Sequence, residues 1–129
     1  MTATGEELVT LSQIKLLMES ENSYKVGNWT VYPLIGNLAV IHEFAEQENV
    51  QADQTWGSVY YYGYDRSFPQ GLIKEVVDLH VRVVTGDGLW WANPFHITTE
   101  GFSYYVMSPR SVGPDSRKDL SFTAIVVLN

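Results

Sequence analysis

His42, His80 and His96 are the first residues to weigh for chemistry, because imidazole titrates near neutrality and is the commonest metal ligand. Each falls in a separate stretch that reads as a strand. No HxH or HxxxH spacing joins any two, so the sequence offers no metal site. They read instead as strand residues with partly exposed rings, and His80, sharing a face with Asp78 and Arg82, suits a cross-strand polar ladder. A Ser/His/Asp set is recognised by geometry rather than spacing. The chain nevertheless carries no nucleophile elbow and no Gly-rich phosphate loop. Glu46 and Glu48 sit in Ala45 to Thr55, a stretch polar enough to be a long solvated loop. The expectation is a protein without catalysis or cofactor.

The other chemistry on offer is that of aromatic rings, with eight tyrosines and four tryptophans in 129 residues. In Trp90-Trp91 and Tyr60-Tyr61-Tyr62 consecutive rings must alternate between the two faces of a strand, so some point outward. Outward rings beside Asn93, Asp87, Arg66 or the Arg110 loop suit sugar stacking with hydrogen-bond support, or a protein contact. The candidate ligand-binding residues are therefore Trp90, Trp91, Asn93, Arg110 and Arg117, on a rim formed by Gly86 to Asn93 and Arg110 to Lys118. The competing reading has the same rings shield the second face of a sheet.

Both readings need strands. The clearest signal is Pro94 to Met107, where Phe95, Ile97 and then Phe102, Tyr104, Val106 repeat at period two around a turn at Thr98 to Gly101. Gly101 stands where a positive φ is usually required. Further strands are expected at Trp29 to Pro33, whose proline belongs at an edge or end, and at Leu38 to Phe44 and Trp56 to Tyr64. Val76 to Thr85 should place Val77, Leu79, Val81 and Val83 on one face, and Leu120 to Leu128 should form the last strand. Phe68-Pro69 bars a regular central strand, and Ser108 to Asp119 reads as a surface loop.

Before these strands, Thr10-Leu11-Ser12-Gln13 matches a capping box, with Val9 and Ile14 as a hydrophobic staple. A helix is expected from Leu11 to Ser20, with Leu11, Ile14, Leu17 and Met18 as its apolar stripe. Ten residues make a marginal helix alone, so the stripe packs on its own domain or on a neighbouring subunit, where it would be the oligomer interface. The expected organisation is residues 1–27 as helix and connector and 28–129 as one all-β antiparallel sandwich or partly closed barrel.

Composition narrows the partners. A formal net charge of -7, with only 8 scattered basic residues, argues against a nucleic-acid partner, which needs surplus Lys and Arg. No cysteine is present, so disulfides and thiolate metal sites are excluded. The longest purely apolar run, Ala124 to Leu128, is far too short to insert in a membrane. The first twenty residues do not read as a signal peptide.

The order of these features resembles the C-terminal domain of phage tail-fibre and related receptor-binding proteins, a small β-sandwich similar to the H-type lectins. The matching pieces are Trp29 to Pro33 with Ala39 and Val40, the Ser67-Phe68-Pro69 turn before a Val-rich strand, Ile97 to Phe102, and Phe122 with Ala124-Ile125. Phe122 and Val126 stand where that family often has a tryptophan and a glycine, and Glu100 lengthens the turn. Val9 to Lys15 is similar to the opening of small phage head-fibre or tail proteins, in which a short helical piece precedes a trimeric β head. The resemblance implies a virion protein, a homotrimer that recognises a host cell-surface glycan or protein and contacts other virion proteins. The alternatives are a capsid or tail decoration protein and a stand-alone lectin-like protein.

Overall fold

The computed structural model describes residues 22–84 and 90–129. Over these residues the chain is all-β and every strand pairing is antiparallel. The strands are β1 (Tyr24–Val26), β2 (Trp29–Pro33), β3 (Leu38–Ala52), β4 (Gln54–Trp56), β5 (Val59–Ser67), β6 (Ile73–Val84), β7 (Trp91–Phe95), β8 (Gly101–Ser108) and β9 (Val112–Leu128). A larger sheet has the order β1-β2-β3-β9-β6, and a smaller one the order β4-β5-β8-β7. The expected helix, with Leu11, Ile14, Leu17 and Met18, lies outside the described residues, as does the rim segment from Gly86 to Leu89.

The sheets face each other across one core, and period-two alternation decides what enters it. Phe102, Tyr104 and Val106 of β8 point in from the smaller sheet; Leu120, Phe122, Ala124 and Val126 of β9 point in from the larger. Phe122 is fully buried, with the rings of Phe102 and Tyr104 at 5.8 and 5.3 Å. Burying one such side chain contributes about 1.5–3 kcal/mol. Pro33 ends β2, beyond the reach of β1, and Pro94 sits in β7 at an edge of the smaller sheet, where a missing N–H costs no ladder bond.

Four expectations from the sequence are corrected. Ala45 to Thr55 is not a loop, because β3 runs on to Ala52; Ser108 to Asp119 is not one either, because β9 already begins at Val112. Polar residues hid both strands, which pair with each other through Glu48–Lys118, Asn49–Arg117 and Val50–Ser116. Within β3 a bulge opposes Glu46 and Gln47 to Asp119 alone. Gln47 adopts a φ of 53°, and the Asp119 carboxylate accepts from both its backbone N (2.9 Å) and its Nε2 (3.1 Å). The extra residue reverses parity. Ala39, Ile41, Glu43 and Ala45 point inward before it; Glu48, Val50 and Ala52 do so after it.

Val77 is the third correction. Bulges in β6 let Val76 take the place opposite Val126, and Val77 is left exposed. Gly101 is the fourth, since its φ is not positive. A Cβ there would collide with the carbonyl oxygen of Arg66 and lie 3.1 Å from Ser67 Cα, so glycine is needed for close approach of β8 to β5. The positive φ in this turn belongs to His96 (48°), which is therefore a turn residue. The Thr98 hydroxyl organises the rest, donating to the Gly101 carbonyl and accepting from the Glu100 and Gly101 amides.

Candidate functional site

On the smaller sheet five of the residues that point away from the core are rings: Trp56, Tyr61, Trp91, Phe95 and Tyr105. Register sets Trp91, Met107, Tyr61 and Gln54 in one row, Asn93, Tyr105 and Gly63 in the next, and Phe95, Ser103 and Asp65 in a third. Gly63 supplies no side chain, and the Tyr105 ring lies over the gap, 3.5 Å from where a Cβ would stand. Tyr105 stacks on Phe95 at 4.3 Å and 21°, and meets the edge of Tyr61 at 5.2 Å and 83°. At the end of the β4–β5 hairpin Trp56 stands 78% exposed. The two-residue turn there starts with Gly57 at φ 62°, a conformation open to glycine at no steric cost.

Trp56, Val59, Tyr61, Asn93, Tyr105 and Met107 together line an open groove of about 370 Å³. Its walls are ring faces and edges, its polar groups an amide and phenol hydroxyls. Asp65, on the same face, accepts from Ser103 Oγ at 2.6 Å. Such a surface stacks on flat or weakly polar rings and hydrogen-bonds at their edges. Among the described residues that line the groove there is no serine, histidine, lysine or carboxylate.

Of the residues singled out from sequence, Trp91 and Asn93 lie on this face. Trp90 does not. It turns inward and is 9% exposed, with Lys118 Nζ 5.2 Å from its ring centre, because alternation sends neighbouring side chains to opposite faces. Arg110, in the β8–β9 turn, shares a separate small pocket with Trp90 and Lys118. Arg117 lies on the opposite face of β9 from Lys118, and its Nη1 donates to the Gln47 carbonyl at 3.1 Å. The expected common rim is thus dispersed over three places. Trp56, Tyr61, Tyr105 and Met107 were missed. Their signal was the parity of Tyr61 within Tyr60–Tyr62 and of Tyr105 beside core-facing Tyr104.

Arg66 also belongs elsewhere than among exposed rings. It points between the sheets, where it pairs with buried Glu43, lies 3.6 Å from Glu48 and sits 4.6 Å over the Phe122 ring. Glu48 is accordingly a strand residue with an ionic partner. Burial pushes the Tyr104 phenol up to about 12, against smaller opposing effects of the neighbouring Arg66. Tyr64 Oη accepts the Gln51 amide at 2.8 Å, and burial raises its pKa.

On the outer face of the larger sheet, His42 Nε2 lies 3.0 Å from Ser121 Oγ, and burial lowers the His42 pKa. His80 with Asp78 at 3.4 Å is a separate couple across β9, and among the described residues no carboxylate pairs with His42. Among the described residues no group of three or more His, Asp or Glu is placed to hold a metal ion, and no helix is long and apolar enough to cross a membrane. Comparison with protein-family models, curated proteins and solved structures finds no match to this chain.

Proposed function

We propose that this chain is a lectin-like recognition head without catalytic activity, serving in a phage or prophage virion as the receptor-binding end of a trimeric fibre. Its contact surface is the outer face of the smaller sheet, and its ligand a host cell-surface glycan. The observation that carries this reading is the continuous set of rings around Tyr105, held open to solvent on a rigid sheet rather than on a loop. Tyr and Trp supply large contact area at low entropic cost and are enriched where surfaces recognise something. The virion setting rests on the resemblance of the strand order and the segment Val9 to Lys15. Exposed Phe44, Ile35 and Val77 support a second reading, a decoration protein whose apolar surface meets other virion proteins.

A glycan array and a whole-cell binding assay on host bacteria test the choice. Tyr105→Ala and Trp91→Ala should each weaken binding by about 2 kcal/mol, roughly 30-fold, as truncation of a central aromatic contact does. Circular dichroism should be unchanged. Absence of binding to any surface, with association to purified capsids or tails, would favour decoration, and light scattering showing a monomer would remove the trimer.

A further inference from the structure

At the end of the molecule where β8 turns into β9, the space between the sheets stays partly open. This second pocket, about 250 Å³, is lined by Trp90, Ser108, Arg110, Ser111, Ser116 and Lys118, with Val112. It lies on the inner side of the smaller sheet, back to back with the aromatic face, since Trp90 and Trp91 are neighbours pointing opposite ways. Its chemistry differs from the rest of the surface. The chain carries 8 basic residues against 15 acidic ones, yet two basic residues and three hydroxyls converge here, and among the described residues no carboxylate lines the pocket.

The two cations are held without being consumed. Ser108, buried, accepts the Arg110 amide at 3.2 Å and so fixes the turn that carries the guanidinium. Lys118 rests over the Trp90 ring, a contact that positions an ammonium without neutralising it. Glu48, its partner across the β3–β9 ladder, is turned to Arg66 instead. Among the described residues neither Arg110 nor Lys118 forms an ion pair.

We infer that this pocket is an anion site for the carboxylate of an acidic sugar, with Arg110 and Lys118 holding the charge, the serine hydroxyls hydrogen-bonding the sugar and Trp90 forming the apolar wall. Its volume falls just under the usual range for small-molecule sites, which fits a single terminal residue rather than a chain of them. A bare oxyanion would use the cations but leave the serines and the indole idle. The site stands apart from the aromatic face and does not depend on it.

The test is amide chemical-shift titration of the full chain with glucuronate, glucose and inorganic phosphate in parallel. Glucuronate should produce saturable shifts at Ser108, Arg110, Ser111 and Lys118, and glucose none there. Arg110→Gln, on an exposed turn, should weaken glucuronate binding at least about tenfold by loss of a charge-assisted bond, and Lys118→Gln should do the same where its spectrum remains folded. Tyr105→Ala should leave this binding unchanged, separating the site from the outer groove. Phosphate binding as tightly as glucuronate would overturn the sugar assignment. Shifts confined to the outer groove, equal binding of glucose, or no binding of either anion would overturn the site.

Discussion

Tyr104 and Tyr105 are neighbours on one strand, yet they belong to opposite environments. Tyr104 is 3% exposed, stacked on Tyr64 at 5.6 Å and edge-on to Phe122. Around it the inner face of the smaller sheet carries a polar knot in which Arg66 ties together Glu43 and Glu48 from the other sheet. Tyr105 packs against rings of its own sheet, Phe95 and Tyr61. The inner rings are clamped by a second sheet and an ion pair; the outer ones are ordered by their neighbours and left facing water. Parity sends an aromatic residue of this sheet to one face or the other, and the second sheet decides that Tyr104 is buried and Tyr105 left facing water.

The largest effect expected from breaking this comparison comes at Glu43. Glu43→Ala leaves Arg66 in the interior with the longer contact to Glu48 as its remaining carboxylate partner, and should cost about 3 kcal/mol, the low end for a broken buried pair because the Arg66 side chain keeps 21% of its exposure. Trp56→Ala, at 78% exposure, should cost less than about 0.5 kcal/mol. Urea denaturation measures both, and comparable losses would erase the distinction between the faces. The double variant Glu43→Met/Arg66→Met should lose less than the sum of its single changes, as coupled groups do.

Two glycines sharpen the contrast at smaller magnitude. Gly101→Ala drives a methyl group into the Arg66 carbonyl and should destabilise by about 1–3 kcal/mol. Gly63→Ala meets only the Tyr105 ring at ordinary contact distance. It should be neutral or stabilising by up to about 1 kcal/mol, since alanine loses less entropy in a strand, while altering the outer groove. The same denaturation series, read beside the glycan-binding assay, checks both.

The smallest effects are in pH. Tyr104 titrates near 12 in the fold and near 10.0 when unfolded, so the native state keeps a proton that the unfolded chain releases. Its contribution is complete below pH 10 and declines as pH rises towards 12. Tyr104→Phe should abolish that part of the alkaline slope and remove one late step from the tyrosinate absorbance titration. His42 runs the other way. Its folded pKa lies below 6.5, the unfolded chain takes up the proton first, and stability should fall as pH drops below 6.5. His42→Gln should flatten the acid limb, and an unchanged limb would remove the burial argument.

Much of the fold was legible because alternation is a local property. Phe102, Tyr104 and Val106, or Leu120, Phe122, Ala124 and Val126, declare an inward face with no knowledge of the partner sheet. The same rule required that Trp90 and Trp91 diverge, and Pro33 announced the end of its strand through its missing donor. Charge, composition and the absence of familiar catalytic spacings were equally independent of folding.

What only tertiary structure decided is every feature that depends on a partner strand. The polar halves of β3 and β9 look like loops until they pair, because a ladder satisfies backbone groups whatever the side chains are. The bulge at Gln47 depends on Asp119, 72 residues away, and it alone brings Glu48 to the same side as Glu43. Likewise the bulge at Val77 exposes a valine that strict alternation would bury. Parity tells which rings share a face of their own strand; which face is covered is set by the packing of two sheets. That packing buries Trp90 and leaves Trp91, Tyr61 and Tyr105 to the solvent, because apolar area is removed from water only where a second layer exists to remove it.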